Sequence, residues 1–171
     1  MLPDANKINK LKLRYMEATI TKKVLSEEQI KAIIADATFK LQEIADSAME
    51  DTEPNYYEDD YGRCYNSGSN SLCGEIEEIC YEGLPGIKND DADIYISASY
   101  DGNCEWHDDY APGDYWTPPS GGIEVDKVEI YLTEIEIEIS VYDEETDDYV
   151  DIEVSEADKK RIIEEVNKNV A

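Results

Sequence analysis

An alternating run of apolar and polar residues in the C-terminal half constrains the fold of this chain more than any other feature. Apolar residues occupy every second position from Val128 to Leu132 and again from Ile135 to Val141. A period of two is typical of a β-strand that buries one face. The parity of the run changes at Thr133-Glu134, so we predict a β-bulge or a bend there.

Three glutamates fill the polar positions in the second half of this run. Glu134, Glu136 and Glu138 would share one face of the strand at a spacing of about 6.6–6.8 Å, and we call this row the carboxylate ladder. The sequence places no lysine among them, although like charges on one sheet face destabilise it. The ladder is therefore a candidate functional surface, although a solvated outer sheet face would also be polar.

A polar turn from Asp143 to Asp148 leads from the ladder strand into a second alternating run, Val150 to Val154. This pattern predicts a β-hairpin, because the two runs are long enough to pair and the turn between them is short. Across that hairpin, Asp151 and Glu153 are expected to lie on the same face as the ladder.

Two capping patterns mark the starts of two helices. Ser26 stands three residues before Gln29, and apolar residues then recur at helical spacing, which predicts a helix from Glu27 to about Glu50. Ser155, with Asp158 three residues later, opens a second and shorter helix.

The order of the predicted elements is β–α–β–β–β–β–α, which indicates an α+β fold. We expect an antiparallel sheet of about 4–6 strands with a long helix in the N-terminal half and a short C-terminal helix. The first predicted strand covers residues 11–15 and is continued by 18–25 after a bulge or turn. The other two cover residues 75–81 and 92–100, and the latter ends at an Asp101-Gly102 turn. We expect residues 1–171 to form a single acidic domain with irregular loops at about 51–74 and 105–122.

The acidic residues are concentrated in the middle of the chain. From Asp51 to Asp158 there are 32 Asp or Glu and only three bases, which gives a net charge of −29. Twelve of the 13 tyrosines lie in the same stretch, and tyrosine is enriched at protein interfaces. This charge disfavours direct binding to nucleic acid and to anionic membrane surfaces, because both need basic residues.

Residues for nucleophilic or metal chemistry are few. The only histidine is His107, and acidic neighbours would raise the pKa of the nearby Cys104 thiol. Structural zinc held by cysteines and His107, and disulfides, are alternatives that the sequence leaves open. We predict free thiols, no catalytic residue, no metal and no cofactor; the cysteines are Cys64, Cys73, Cys80 and Cys104.

Two loop patterns carry a resemblance: Gly-Arg-Cys-Tyr-Asn-Ser-Gly-Ser at residues 62–69 and Pro-Gly-Asp-Tyr-Trp-Thr-Pro-Pro at residues 112–119. With the acidic hairpin, they resemble small acidic bacteriophage-encoded proteins of unassigned role, over about the C-terminal two-thirds of the chain. In charge and size the chain is also similar to phage DNA-mimic inhibitors of restriction or CRISPR systems. The resemblance implies a phage setting.

We therefore predict a non-enzymatic acidic inhibitor that occupies the basic nucleic-acid groove of a host defence protein. The alternative is a phage structural or assembly protein that binds a basic partner or forms a homo-oligomer through its locally basic N-terminal stretch. We expect a cytoplasmic location, in the host cell if the protein is phage-encoded, because residues 1–15 lack the apolar block of a signal peptide. The predicted partner-binding residues are the ladder and the acids of the hairpin: Glu134, Glu136, Glu138, Asp143, Glu144, Glu145, Asp147, Asp148, Asp151 and Glu153.

Overall fold

The computed structural model describes residues 23–51, 67–87, 89–108, 113–118 and 120–170. Their elements follow the predicted order. They are strand β1 (Lys23–Val24), helix α1 (Glu27–Asp51), β2 (Ser67–Ile76), a 3-10 turn (Asn89–Asp91), β3 (Ala92–Asp108), β4 (Ile123–Asp143), β5 (Asp148–Glu153) and helix α2 (Glu156–Val170).

The strands form one sheet in the order β1-β5-β4-β3-β2. Strands β2, β3, β4 and β5 pair with one another in the antiparallel direction, which confirms the predicted α+β fold with a long and a short helix. The short β1 pairs with β5 in the parallel direction, with Lys23 opposite Ile152. The first predicted strand, at residues 11–15, and most of its continuation at 18–25 lie outside the described residues.

Both predicted capping patterns are present. The Ser26 amide donates to Gln29 Oε1 at 2.9 Å, and the Gln29 amide donates to Ser26 Oγ at 3.3 Å. At the second helix the Asp158 amide donates to Ser155 Oγ at 3.1 Å. These contacts satisfy amides that the first turn of a helix leaves without partners.

Helices α1 and α2 cover one face of the sheet, which we call the inner face. The fully buried side chains Ile33 and Leu41 of α1 and Ile162 and Val166 of α2 form the core with the apolar positions of the strands. Within the described residues, no helix combines the length and the apolar character needed to cross a membrane.

The predicted bulge in β4 is confirmed. Ser99 of β3 pairs with Glu134, whereas its neighbour Tyr100 pairs with Leu132, so Thr133 is an extra residue in β4. Residues three positions apart in a regular strand point to opposite faces. Because of the extra residue, Leu132 and Ile135 both point to the inner face and are buried.

The loop predicted at about residues 51–74 is wrong for residues 67–74, which belong to β2. The glycines that indicated a loop are instead required by packing. A Cβ atom at Gly68 would lie 2.6 Å from the buried indole of Trp106, and one at Gly74 would lie 2.7 Å from the hydroxyl of Tyr100. Glycine at these positions leaves room for the two rings of β3 against the neighbouring strand.

The turn predicted at Asp101-Gly102 is also wrong, and so is the loop predicted at about 105–122 for residues 105–108, because β3 continues to Asp108. The described residues 113–118 and 120–122 lie outside the regular strands, as predicted. Gly102 marks a close backbone approach rather than a turn: a Cβ atom there would lie 2.4 Å from the carbonyl oxygen of Glu129. The pairing of β3 with β4 has a second irregularity, opposite Glu105 and Trp106, where Asp126 is an extra residue in β4. Residues 109–112 and 119 lie outside the described part of the predicted loop.

The strand predicted at residues 75–81 ends early, at Ile76. The chain then turns over α1, with left-handed backbone at Glu78 (φ 58°) and Cys80 (φ 56°). Two side chains of α1 hold this turn: Lys40 Nζ donates to the carbonyls of Glu77 and Glu78, and Asp36 accepts from the Cys80 amide at 2.7 Å. These long-range bonds offset a conformation that the local sequence does not favour.

Gly68→Ala tests the packing account of β2. The added methyl would overlap the Trp106 ring, and we expect a loss of about 1–3 kcal/mol in the free energy of unfolding. Urea denaturation measures the change. Ser71→Ala, at an exposed position of the same strand, is the control and should have little effect. Equal stability of the two variants would contradict the account.

Candidate functional site

The face of the sheet opposite the helices, which we call the outer face, carries most of the charge of the strands. Strands β2 to β5 contain 15 acidic residues and one base other than histidine, Lys127. Because the acids alternate with buried apolar residues, they collect on the outer face. Lys127 is already paired, with Nζ 2.5 Å from Glu129, and this hydrogen bond raises the pKa of the lysine.

The carboxylate ladder lies on the outer face, as predicted, and its three side chains are exposed. Its neighbours across β3 are not acids. Ser99 stands opposite Glu134, Ser97 opposite Glu136, and Tyr95 opposite Glu138. This arrangement keeps like charges apart on neighbouring strands and so limits the repulsion that directly opposed acids would produce.

The two acids predicted across the hairpin have different positions. Asp151 lies on the ladder's face, but it pairs with Ser140, whose hydroxyl contacts its carboxylate at 2.5 Å. Glu153 pairs with Val24 of β1, beyond the four residue pairs that join β5 to β4. The hairpin therefore extends the acidic face sideways from the end of the ladder, and it does not place acids opposite the ladder itself.

The acids of the hairpin turn are of two kinds. Asp143, Asp147 and Asp148 accept hydrogen bonds that hold the turn, from the Glu145 amide at 3.0 Å, the Tyr142 hydroxyl at 2.5 Å and the Tyr149 amide at 2.8 Å respectively. The bond to Asp147 raises the pKa of Tyr142. Glu144 and Glu145 are exposed at the tip of this braced turn. The sequence did not distinguish the acids that hold the turn from those that extend from its tip.

Tyrosines interrupt the acids on the same face. Tyr95, Tyr142 and Tyr149 are exposed, and the rings of Tyr142 and Tyr149 meet edge to face with centroids 5.7 Å apart. Exposed tyrosine gives a surface apolar contact area at little cost in side-chain entropy. Tyrosine is among the residues that are enriched at protein interfaces.

A small cleft in the outer face was not predicted. It has a volume of about 250 Å³ and is lined by Glu75, Ser97, Ser99, Glu134 and Glu136. The strand register explains the cleft. Ser97 and Ser99 of β3 have short side chains, whereas the glutamates of β2 and β4 on either side have long ones. The sequence showed the serines only as polar positions of a strand. Glu75 joins them through a pairing across 24 residues that no local pattern reveals.

A larger groove of about 560 Å³ lies on the helical side, between the ends of α1 and α2 and strand β4. Its apolar lining includes Met49, Val128 and Val170. This groove is separate from the concentration of charge on the outer face.

The structure does not bring the described cysteines and His107 together. Cys104 is buried on the inner face, whereas His107 points to the outer face with Nδ1 2.8 Å from Asp126. Burial, with a smaller effect of Asp36, raises the pKa of Cys80 to about 11, so this thiol is protonated at neutral pH. In the described part of the chain no three His, Cys, Asp or Glu side chains are grouped to hold a metal ion, and Cys64 lies outside that part.

Comparison of the chain with protein-family models, with curated protein sequences and with solved structures finds no match.

The charge of the outer face predicts a stability that depends on salt. Raising NaCl from low concentration to about 0.1 M shortens the Debye length to ~10 Å and weakens repulsion among the acids, so the melting temperature should rise. Glu136→Gln should raise the melting temperature at low salt and reduce the gain from added salt. A melting temperature that is flat or falls over this range would contradict the account.

Proposed function

We propose that this chain is a non-enzymatic binding protein whose outer face occupies the basic nucleic-acid groove of a partner protein. The observation that carries the proposal is a regular row of carboxylates on a rigid sheet, within strands β2 to β5 that contain one lysine and no arginine. A basic groove that attracts phosphates attracts such a row for the same electrostatic reason.

The spacing of the ladder supports imitation of a nucleic-acid strand. Alternate residues of a strand repeat at about 6.6–6.8 Å, close to twice the rise of about 3.4 Å between phosphates along one DNA strand. The match is to every second phosphate. The sheet also fixes the carboxylates before binding, which reduces the entropy lost on association.

The braced hairpin turn extends this surface. The hydrogen bonds that Asp143, Asp147 and Asp148 accept hold the turn in one conformation, so Glu144 and Glu145 project from a fixed position. Charges of one sign over this area would also steer a basic partner toward the outer face during encounter.

In the phage setting that the sequence resemblance implies, the partner would be a host defence protein such as a restriction or CRISPR enzyme. The protein would then act in the cytoplasm of the host cell as an inhibitor that excludes DNA or RNA from the enzyme. The small size and high negative charge of the chain support this class of partner.

A phage structural or assembly role is the second candidate. The observation that favours it is the uneven distribution of charge. Helix α2 carries as many basic as acidic residues, whereas the charged residues of β2 to β5 are almost all acidic. The acidic face of one copy would then pair with basic residues of another copy or of a virion protein. Sedimentation at low and moderate salt distinguishes this role, because it predicts association that salt reverses.

Capture of bacterial proteins on the immobilised chain, followed by elution with excess duplex DNA, tests the main proposal. Proteins that occupy the outer face through a nucleic-acid groove should be released by the duplex. Captured proteins that stay bound in excess duplex, or capture of virion proteins alone, would contradict it.

The combined substitution of Glu134, Glu136 and Glu138 by Gln tests the ladder. It keeps side-chain shape and removes three charges, so capture should fall several-fold and depend less on salt, while folding is unchanged or slightly stronger. The matched control is Glu43→Gln, Asp46→Asn and Glu50→Gln, which removes three exposed charges from α1. If both triple variants bind equally, only net charge matters and the ladder is a solvated sheet face.

A further inference from the structure

We infer that the cleft formed by Glu75, Ser97, Ser99, Glu134 and Glu136 is a subsite for one arginine side chain of the partner. The inference rests on the proposed function, because it assigns a specific task to one part of the acidic outer face. It predicts a preference for arginine over lysine that diffuse negative charge would not produce.

The geometry of the cleft comes from three neighbouring strands. Glu75 of β2, Ser99 of β3 and Glu134 of β4 stand in one row across the sheet, and Ser97 and Glu136 form the next row. With strands about 4.7–4.9 Å apart, the backbones beneath Glu75 and Glu134 are separated by about 9–10 Å. The serines form the floor, and the glutamates form opposite walls.

Ser97 is the independent sign that this cleft takes a ligand. Its side chain is 2% exposed, lines the cleft and has no hydrogen-bond partner among the described residues. Polar groups that are this deeply buried are almost always hydrogen-bonded. A donor entering the cleft would satisfy the Ser97 hydroxyl and be held by the carboxylates on either side.

All five side chains around the cleft can accept hydrogen bonds, and none is a base. A guanidinium suits this lining, because it is a planar donor of five N–H groups that can contact two carboxylates and a hydroxyl at once. The ammonium of lysine is a compact charge with three donors, and it cannot span the two walls in the same way.

A divalent cation fits the cleft less well. Calcium needs several oxygens within 2.3–2.6 Å of one point. The described residues contain no grouping of three such side chains close enough to hold a metal, and alternate residues such as Glu134 and Glu136 are about 6.6–6.8 Å apart along the strand.

Titration with an oligo-arginine peptide and an oligo-lysine peptide of equal length tests the inference. The parent protein should bind oligo-arginine about five- to tenfold more tightly, because a guanidinium can form several charge-assisted hydrogen bonds at once, and these are worth more than the single ion pair of an ammonium. Ser97→Val fills the floor without changing charge, and it should abolish this preference while leaving oligo-lysine affinity nearly unchanged. Ser71→Val, on the outer face of β2 away from the cleft, should keep the preference.

A second pair of variants covers the case in which Ser97→Val disturbs folding. Glu136→Gln and Glu138→Gln remove the same charge from the same strand, but only Glu136 lines the cleft. Loss of the arginine preference in Glu136→Gln alone supports the subsite. Equal effects of the two, or no preference in the parent, overturn the subsite and leave the proposed function standing. Failure of both peptides to bind would instead contradict the proposed function. Tight binding of Ca²⁺ at Glu134 and Glu136, without binding of oligo-arginine there, would overturn the arginine subsite in favour of a metal site.

Discussion

The separation of apolar and acidic residues onto opposite faces of one sheet is the constraint on which the rest of this structure depends. Strand β4 alternates Ile135, Ile137 and Ile139 with three glutamates, and the two helices cover only the apolar side. The acids remain in water, where their repulsion is weak, while the core is almost free of charge. A protein with a net charge of −27 can fold in this way because its core and its charge do not compete for space.

Repulsion within the acidic face is limited by what lies between the acids. Serines and a tyrosine of β3 stand opposite the ladder, and Asp151 faces Ser140 rather than another acid. The same arrangement opens the cleft, because short serines between long glutamates leave a depression. One feature of the sheet thus serves both stability and the proposed recognition of basic side chains. The bulge at Thr133 is essential to it, since without the extra residue the glutamates after it would point into the core.

Much of this fold could be predicted from local patterns. The capping residues Ser26 and Ser155, the period of α1 and the change of parity in β4 each depend on neighbours within a few positions. The failures share a cause. Gly68, Gly74 and Gly102 resemble turn residues, and only the distant contacts with Trp106, Tyr100 and the backbone of Glu129 show that they belong in strands. The early end of β2 likewise depends on Asp36 and Lys40, about 40 residues away along the chain.

The candidate surface could be predicted only where it depends on local patterns. The ladder is a local pattern, so the sequence identified its residues and their common face. The cleft requires the register of three strands, and Glu75 joins it through a pairing with Ser99 that no local pattern reveals. The division of the turn acids also depends on hydrogen bonds to Tyr142 and Tyr149 that composition cannot show.

The central claim is that binding of a basic partner is specific to the outer face. Backbone amide chemical shifts of the labelled protein, followed during titration with protamine, test it most directly. The account predicts shifts concentrated at residues 93–99 and 134–142, with little change at the exposed acids of α1 such as Glu43 and Glu50. Shifts spread evenly over the acids of both faces would show that the protein is only a diffuse polyanion, and they would contradict the account.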